Sequence, residues 1–234
     1  MTRPGKIVCV GRNYRDHAKE MGNEVPAAPL LFLKPPSAVV RSGEAVVIPA
    51  ASQRVEFEGE IGVVVGATLR RASEPEAARA VRGVVALNDV TARDLQRSDG
   101  QWTRAKGFDT FCPVGPEWVG TPDFGRLTVV TRVNGAERQR ESGSSMVFAV
   151  PTLLAYISHV MTIEPGDVVA TGTPAGVGPL APGDTVEVEL LDGAVSLSRV
   201  TNPVTADTAA AAAHDRGEEH QQSGRGSVTR GLSP

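Results

Sequence analysis

The feature that most constrains the fold of this chain is a rhythm of short valine-rich runs, each cut by glycine or proline. Residues 6–10, 45–48, 61–65, 84–87, 127–133, 168–170 and 185–191 read as strands. They follow one another too closely for repeated βαβ units. The 25 glycines and 17 prolines supply the turns between them. Pro165-Gly166-Asp167 and Pro182-Gly183-Asp184 each lead into a valine-rich strand, and Asn134-Gly135 fits a two-residue hairpin turn. Helical signals are fewer: 13–21, short and charged; 74–81, with Pro75 at a first helical position; and 150–161, with Pro151 near its start and apolar residues at helical spacing. The fold class predicted is a β-rich α+β domain with few short helices.

Composition removes several classes of function. A net charge of −3 offers no basic surface for a polyanion, and 4% aromatic residues are too few for a base-stacking platform. No nucleic acid or membrane partner is expected. Residues 146–161 form the longest apolar region, but Pro151, Ser158 and His159 interrupt it and it is too short to span a bilayer. Four apolar residues run straight into Gly11-Arg12-Asn13, unlike a signal peptide, so a cytoplasmic location is expected. Cys9 and Cys112 are isolated in apolar surroundings and read as small buried hydrophobes. Past Asp207 the only apolar residues other than alanine are Val228 and Leu232, too little to offset chain entropy. The expected organisation is one domain over 1–206 and a disordered tail over 207–234, with His214 and His220 solvated rather than ligands.

Three groups of residues could carry chemistry. Glu58 and Glu60 lie two apart at the start of a strand, so their carboxylates share a face. A divalent cation would neutralise them; a solvated face beside Arg54 or Arg70 is the equal alternative. Asp89, at the end of the run 84–88, adds a third acid, although it reads equally well as the N-cap of a following helix. Three carboxylates without histidine or cysteine suit a hard cation, Mg²⁺ or Mn²⁺. His17 and Glu20 are one helical turn apart, which in isolation reads first as an ordinary surface charge pair and only second as a carboxylate that orients an imidazole base. Asp16 and Lys19 read as surface charges. The glycine-rich 172–178 lacks the lysine of a P-loop, and Ser142, Ser144 and Ser145 sit in no nucleophile elbow. His159 reads as a core histidine on the apolar helix.

Taken together these segments resemble the fumarylacetoacetate hydrolase superfamily. The resemblance is strongest to its short branch of acylpyruvate hydrolases, oxaloacetate decarboxylases and 2-hydroxyhepta-2,4-diene-1,7-dioate isomerases. It runs from Lys6 to about Pro203. It is carried by 10–20, Phe32-Leu33-Lys34-Pro35, Glu58-Gly59-Glu60-Ile61 and 88–94, then by Lys106-Gly107-Phe108-Asp109, Val133-Asn134-Gly135, 164–167 and 171–178.

The resemblance implies a mixed β-roll or flattened barrel, usually a homodimer. It implies that Glu58, Glu60 and Asp89 hold Mg²⁺ or Mn²⁺ and that Lys106 lies beside the metal, facing the substrate oxygens. It places Arg93, Gln96 and Thr173 around the carboxylate of a small 2-oxo acid. It makes His17 and Glu20 a catalytic dyad on a lid segment, activating water. Gly143 departs from the family, where threonine often precedes Ser-Ser-Met. The activity expected is hydrolysis of a carbon–carbon bond in an acylpyruvate through a metal-stabilised enolate. Oxaloacetate decarboxylation and hydroxydienoate isomerisation are the alternatives on the same site, and a non-catalytic metabolite-binding protein is the alternative of another class.

Overall fold

In the computed structural model, which describes residues 3–207, four open sheets pack around several hydrophobic clusters. The largest has six strands in the spatial order Trp118–Val119, Val81–Asn88, Gly59–Val65, Val168–Ala170, Ile7–Gly11 and Leu30–Lys34. Within it only Ile7–Gly11 and Val168–Ala170 run parallel. A second sheet orders Ala136–Ser142, Leu127–Val133, Thr185–Asp192, Val195–Ala206 and Val46–Ile48, its last pair parallel. Small sheets join Gly178–Pro179, Val55–Phe57 and Thr91–Ala92, and Val39–Val40 with Cys112–Pro113. The β-rich mixed roll is therefore observed, and its sheets stay open rather than closing into a barrel.

Five α-helices accompany the strands: α1 Arg15–Glu20, α2 Glu74–Arg79, α3 Arg93–Asp99, α4 Thr103–Lys106 and α5 Val150–Val160. The period-2 alternation of the strands sorts their side chains. Val8, Val10, Val63, Val65 and Val169 face α2 and α5, packing with Ala77, Leu153, Leu154 and Ile157. Ile7, Cys9, Val64, Val168 and Ala170 face away into a cluster with Val85, Leu87 and Cys112. Both cysteines are buried and unbridged, and burial pushes the Cys112 thiol up to about 12, so neither is a nucleophile at neutral pH.

All seven expected strands and the three expected helices are present, with ends shifted by a few residues. Asn134-Gly135 makes the hairpin between Leu127–Val133 and Ala136–Ser142. Two expectations are corrected. His159 is exposed in the last turn of α5, because the buried stripe of that helix runs through Leu153, Leu154 and Ile157 instead. Asp89 caps no helix: α3 begins four residues later, with Ala92 in the cap position. The expected tail, His214 and His220 included, falls from 208 onward outside the described residues.

The sheet register creates the site. Gly59 pairs with Asn88 in the antiparallel ladder of the two central strands. The Asp89 amide donates to the Glu58 carbonyl at 2.8 Å. Acids about thirty residues apart in sequence are thus brought together at one sheet end.

Candidate active site

Glu58, Glu60 and Asp89 are all buried, and one carboxylate oxygen of each lies within 4.8 Å of the others. The solvated face considered for Glu58 and Glu60 is ruled out by this burial. Each acid is held separately. Lys106 Nζ donates to Glu58 Oε2 at 2.8 Å and to Asp89 Oδ2 at 2.7 Å, and Lys34 Nζ donates to Asp89 Oδ1 at 2.6 Å. Glu60 receives the Gly172 amide at 2.7 Å.

These partners set opposite proton affinities. Burial alone would raise Glu58, but Lys106, Arg93 and then His17 hold it well below the usual carboxylate range. Glu60 moves the other way: burial, then the charges of Asp89 and Glu58, push it well above that range. A buried carboxyl raised by burial and by like-charged neighbours is a group that an added cation would relieve. An all-oxygen donor set of this kind fits a divalent hard cation. Burial lowers Lys106, yet Asp89 and Glu58 outweigh it, and the ammonium keeps its proton above the ordinary lysine range.

The cluster lines a cavity of about 270 Å³ that also contains His17, Arg93, Gln96, Lys106 and Thr173. His17 is buried on α1, its Nδ1 3.2 Å from Glu20 Oε2. The Glu20 carboxylate also accepts the Gly176 amide at 3.1 Å, tying α1 to the glycine-rich loop. Glu20 therefore stands next to the cavity rather than in its lining.

Two expected substrate contacts are already engaged within the protein. Arg93 donates to Glu56 at 2.8 Å, Glu58 at 2.7 Å and Gln96 Oε1 at 2.7 Å, so its guanidinium braces the carboxylates. Thr173 Oγ donates to the Gly59 carbonyl at 2.9 Å and accepts from Gln139 Nε2 at 2.8 Å. Gln96 keeps its amide donors.

Lys34, Gln139, Arg12 and Arg97 are site residues that the sequence reading passed over. Gln139 is the only buried side chain on an otherwise polar strand. It also accepts the Gly59 amide at 3.0 Å, fixing the segment that carries both glutamates. Gly143 has a steric reason: a Cβ there would lie 2.2 Å from the Phe124 carbonyl oxygen.

The profile of the fumarylacetoacetate (FAA) hydrolase C-terminal family matches residues 6–205. The chain belongs to this family. Among its relatives, a protein of Archaeoglobus fulgidus is 50% identical over 187 residues, covering 80% of this chain and 75% of that one. The mitochondrial oxaloacetate tautomerase FAHD1 of Bos taurus is 42% identical, covering 77% and 85%. The solved structure of 2-hydroxyhepta-2,4-diene-1,7-dioate isomerase from Mycobacterium marinum is 44% identical with a TM-score of 0.79, covering 88% and 76%. The protein is thus a family enzyme acting on small molecules, with a buried acidic triad able to bind a divalent cation. No helix among the described residues is long and apolar enough to cross a membrane.

Proposed function

We propose that this enzyme moves a proton at the carbon next to the 2-oxo group of a small acid, with keto–enol tautomerisation of oxaloacetate as its reaction. The observation that carries the reading is the buried Lys106 ammonium bridging Glu58 and Asp89 in the cavity that also holds His17. Glu58, Glu60 and Asp89 would hold Mg²⁺ or Mn²⁺, which when bound supplies a Lewis acid that polarises the 2-oxo group.

Lys106 keeps its proton, so it serves as a fixed positive charge for an enolate oxygen and not as a base. His17, oriented by Glu20, takes and returns the proton at carbon. Gln96 offers its amide donors to the substrate carboxylate, and Thr173 shapes the adjoining wall. Arg93 acts through Glu58 and Gln96. The bovine relative is named as a tautomerase and the mycobacterial structure as an isomerase, and both names describe proton shifts.

Acylpyruvate hydrolysis is the second reading, favoured by the same His17–Glu20 pair if it directs water to a 4-oxo carbon; oxaloacetate decarboxylation would use the same enolate. The domain 1–206 and its cytoplasmic setting are carried over from the composition of the chain, and the homodimer from the family resemblance. Spectrophotometry with enol-oxaloacetate, acetylpyruvate and a hydroxydienoate, with Mg²⁺ and with excess EDTA, separates the readings. Faster enol decay without carbon loss, abolished by EDTA, is the expected result. Acetylpyruvate cleavage alone would replace tautomerisation by hydrolysis, and turnover of none would leave a metabolite-binding protein.

A further inference from the structure

The buried Lys106 ammonium has an aromatic partner as well as its two acids. Its Nζ lies 5.0 Å from the centre of the Phe32 ring, within the range of a cation–π contact. It donates to Glu58 and Asp89 and, among the described residues, to no other acceptor. Phe32 and Lys34 lie two apart on the edge strand Leu30–Lys34, so they share a face. Lys34 holds one oxygen of Asp89, and Phe32 backs the lysine that holds the other.

The ring is fixed in place. Trp102 meets it at 5.2 Å between ring centres and 71° between planes, an edge-to-face pair. The Trp102 carbonyl accepts the Lys106 amide at 3.0 Å, so indole and ammonium stand one turn apart on the short helix α4, and Phe32 touches both. The indole is itself pressed against Gly11, where a Cβ would lie 2.9 Å from Trp102 Cζ3. Gly11, Phe32, Trp102 and Lys106 all line the cavity of the carboxylate cluster.

A ring face differs from a carboxylate in what else it can hold. A divalent cation bound by Glu58 and Asp89 would draw on the negative charge that they share with Lys106, and would set like charge beside its ammonium. Hard cations take oxygen ligands and leave an aromatic ring alone. Of the three partners of Lys106, Phe32 is the one that the cation does not share.

We propose that Phe32 is a positioning residue, whose ring face keeps the Lys106 ammonium aimed at the oxygens of a bound anion once a cation has drawn on Glu58 and Asp89. The proposal rests on the reading above that Lys106 faces an enolate oxygen, and it adds what holds the lysine there.

The test replaces Phe32 in the full chain by mono-, di- and trifluorophenylalanine, which keep the shape of the ring while draining negative charge from its face. Oxalate, a planar anion that does not react, is titrated calorimetrically into each Mg²⁺-loaded protein. Its affinity should fall stepwise with each fluorine, by about five- to thirtyfold over the series, the range of a cation–π contact shielded from water. The kcat for enol-oxaloacetate should fall along the same line with KM changing less, because the ammonium is felt most where charge develops. Phe32→Leu, which fills space without a ring face, should lose at least as much oxalate affinity as the trifluoro ring. Affinity that stays flat along the series would overturn the proposal, since the ring would then only fill space. Affinity that rises would overturn it too: an anion lying directly on the ring gains from fluorination, whereas an ammonium loses. Native affinity in Phe32→Leu would count against it in the same way. Oxalate affinity that falls with fluorination in an enzyme that does not tautomerise oxaloacetate would uphold the positioning of Lys106 while overturning the reaction proposed above.

Discussion

Lys34 Nζ lies 2.6 Å from Asp89 Oδ1, with both side chains wholly out of solvent. Lys34 ends the edge strand Leu30–Lys34, and its ammonium also donates to the Val90 carbonyl at 3.1 Å. Asp89 is thereby gripped from two sides, by Lys34 on one oxygen and Lys106 on the other. Removing one partner of a buried pair leaves a charge with neither water nor counter-ion, typically costing about 3–5 kcal/mol. Lys34→Met should therefore lower stability by about that amount in urea denaturation, and added Mg²⁺ should restore part of it by supplying charge to Asp89. A loss within about 0.5 kcal/mol, the range of ordinary surface substitutions, would mean that Lys34 is not needed to hold Asp89.

Glu60 gives a pH prediction for cation binding. Its carboxyl is held above the usual range by burial and by Asp89 and Glu58, so cation entry must displace a proton. Mg²⁺ affinity should fall as the pH drops into the range where Glu60 is protonated. Titrations in buffers of different ionisation enthalpy should show protons released on binding. Glu60→Gln should abolish the Mg²⁺-induced rise in melting temperature and, with it, turnover. Affinity that stays flat across the acidic range would remove Glu60 from the cation's ligands.

The strands were legible because each is a concentrated apolar run, and the three carboxylates because acid is out of place beside such runs. Glu58-Gly59-Glu60 and Asp89 drew attention on that ground alone. Lys34 did not, because a lysine ending an edge strand is ordinary until the fold buries it against an acid 55 residues away. The longest strand, Val195–Ala206, escaped because two of its four buried positions are polar, Ser198 and Asn202; it pairs along Thr185–Asp192 and buries every second residue from Ser198 to Val204. Arg93 was matched to the substrate by motif, yet two of its three bonded partners, Glu56 and Glu58, lie 37 and 35 residues away, distances that no local pattern reveals.

Gly59 is required by a close approach from the second sheet. A Cβ there would fall 1.9 Å from Thr131 Oγ1 and 3.2 Å from Gln139 Oε1. Gly59→Ala should destabilise the fold by about 1–3 kcal/mol, the range for overpacked cores, and should weaken Mg²⁺ binding because it displaces the backbone between Glu58 and Glu60. Thr131→Ala removes the clashing hydroxyl, so the double variant should recover much of the loss, giving a favourable coupling in a double-mutant cycle. Strict additivity of the two substitutions would show that the strain lies elsewhere.

His17 is the residue on which the reaction class turns. It is buried at the cavity wall, its Nδ1 faces Glu20 Oε2, and Glu20 is itself pinned by the Gly176 amide. Lys106 holds its proton too firmly to act as a base, which leaves the imidazole of His17, held by Glu20, as the proposed base of the cavity. General-base catalysis contributes about 10²–10⁴-fold. His17→Ala should lower both oxaloacetate tautomerisation and acylpyruvate hydrolysis by that order, since each needs a base at carbon or water. Decarboxylation of oxaloacetate expels carbon dioxide without one and requires mainly positive charge at the enolate oxygen, so it should fall much less. Glu20→Gln keeps the hydrogen bonds of the pair but not the charge, and should give an intermediate loss. If all three reactions fall equally in His17→Ala, the residue closes the site rather than moving the proton, and the base must be sought elsewhere.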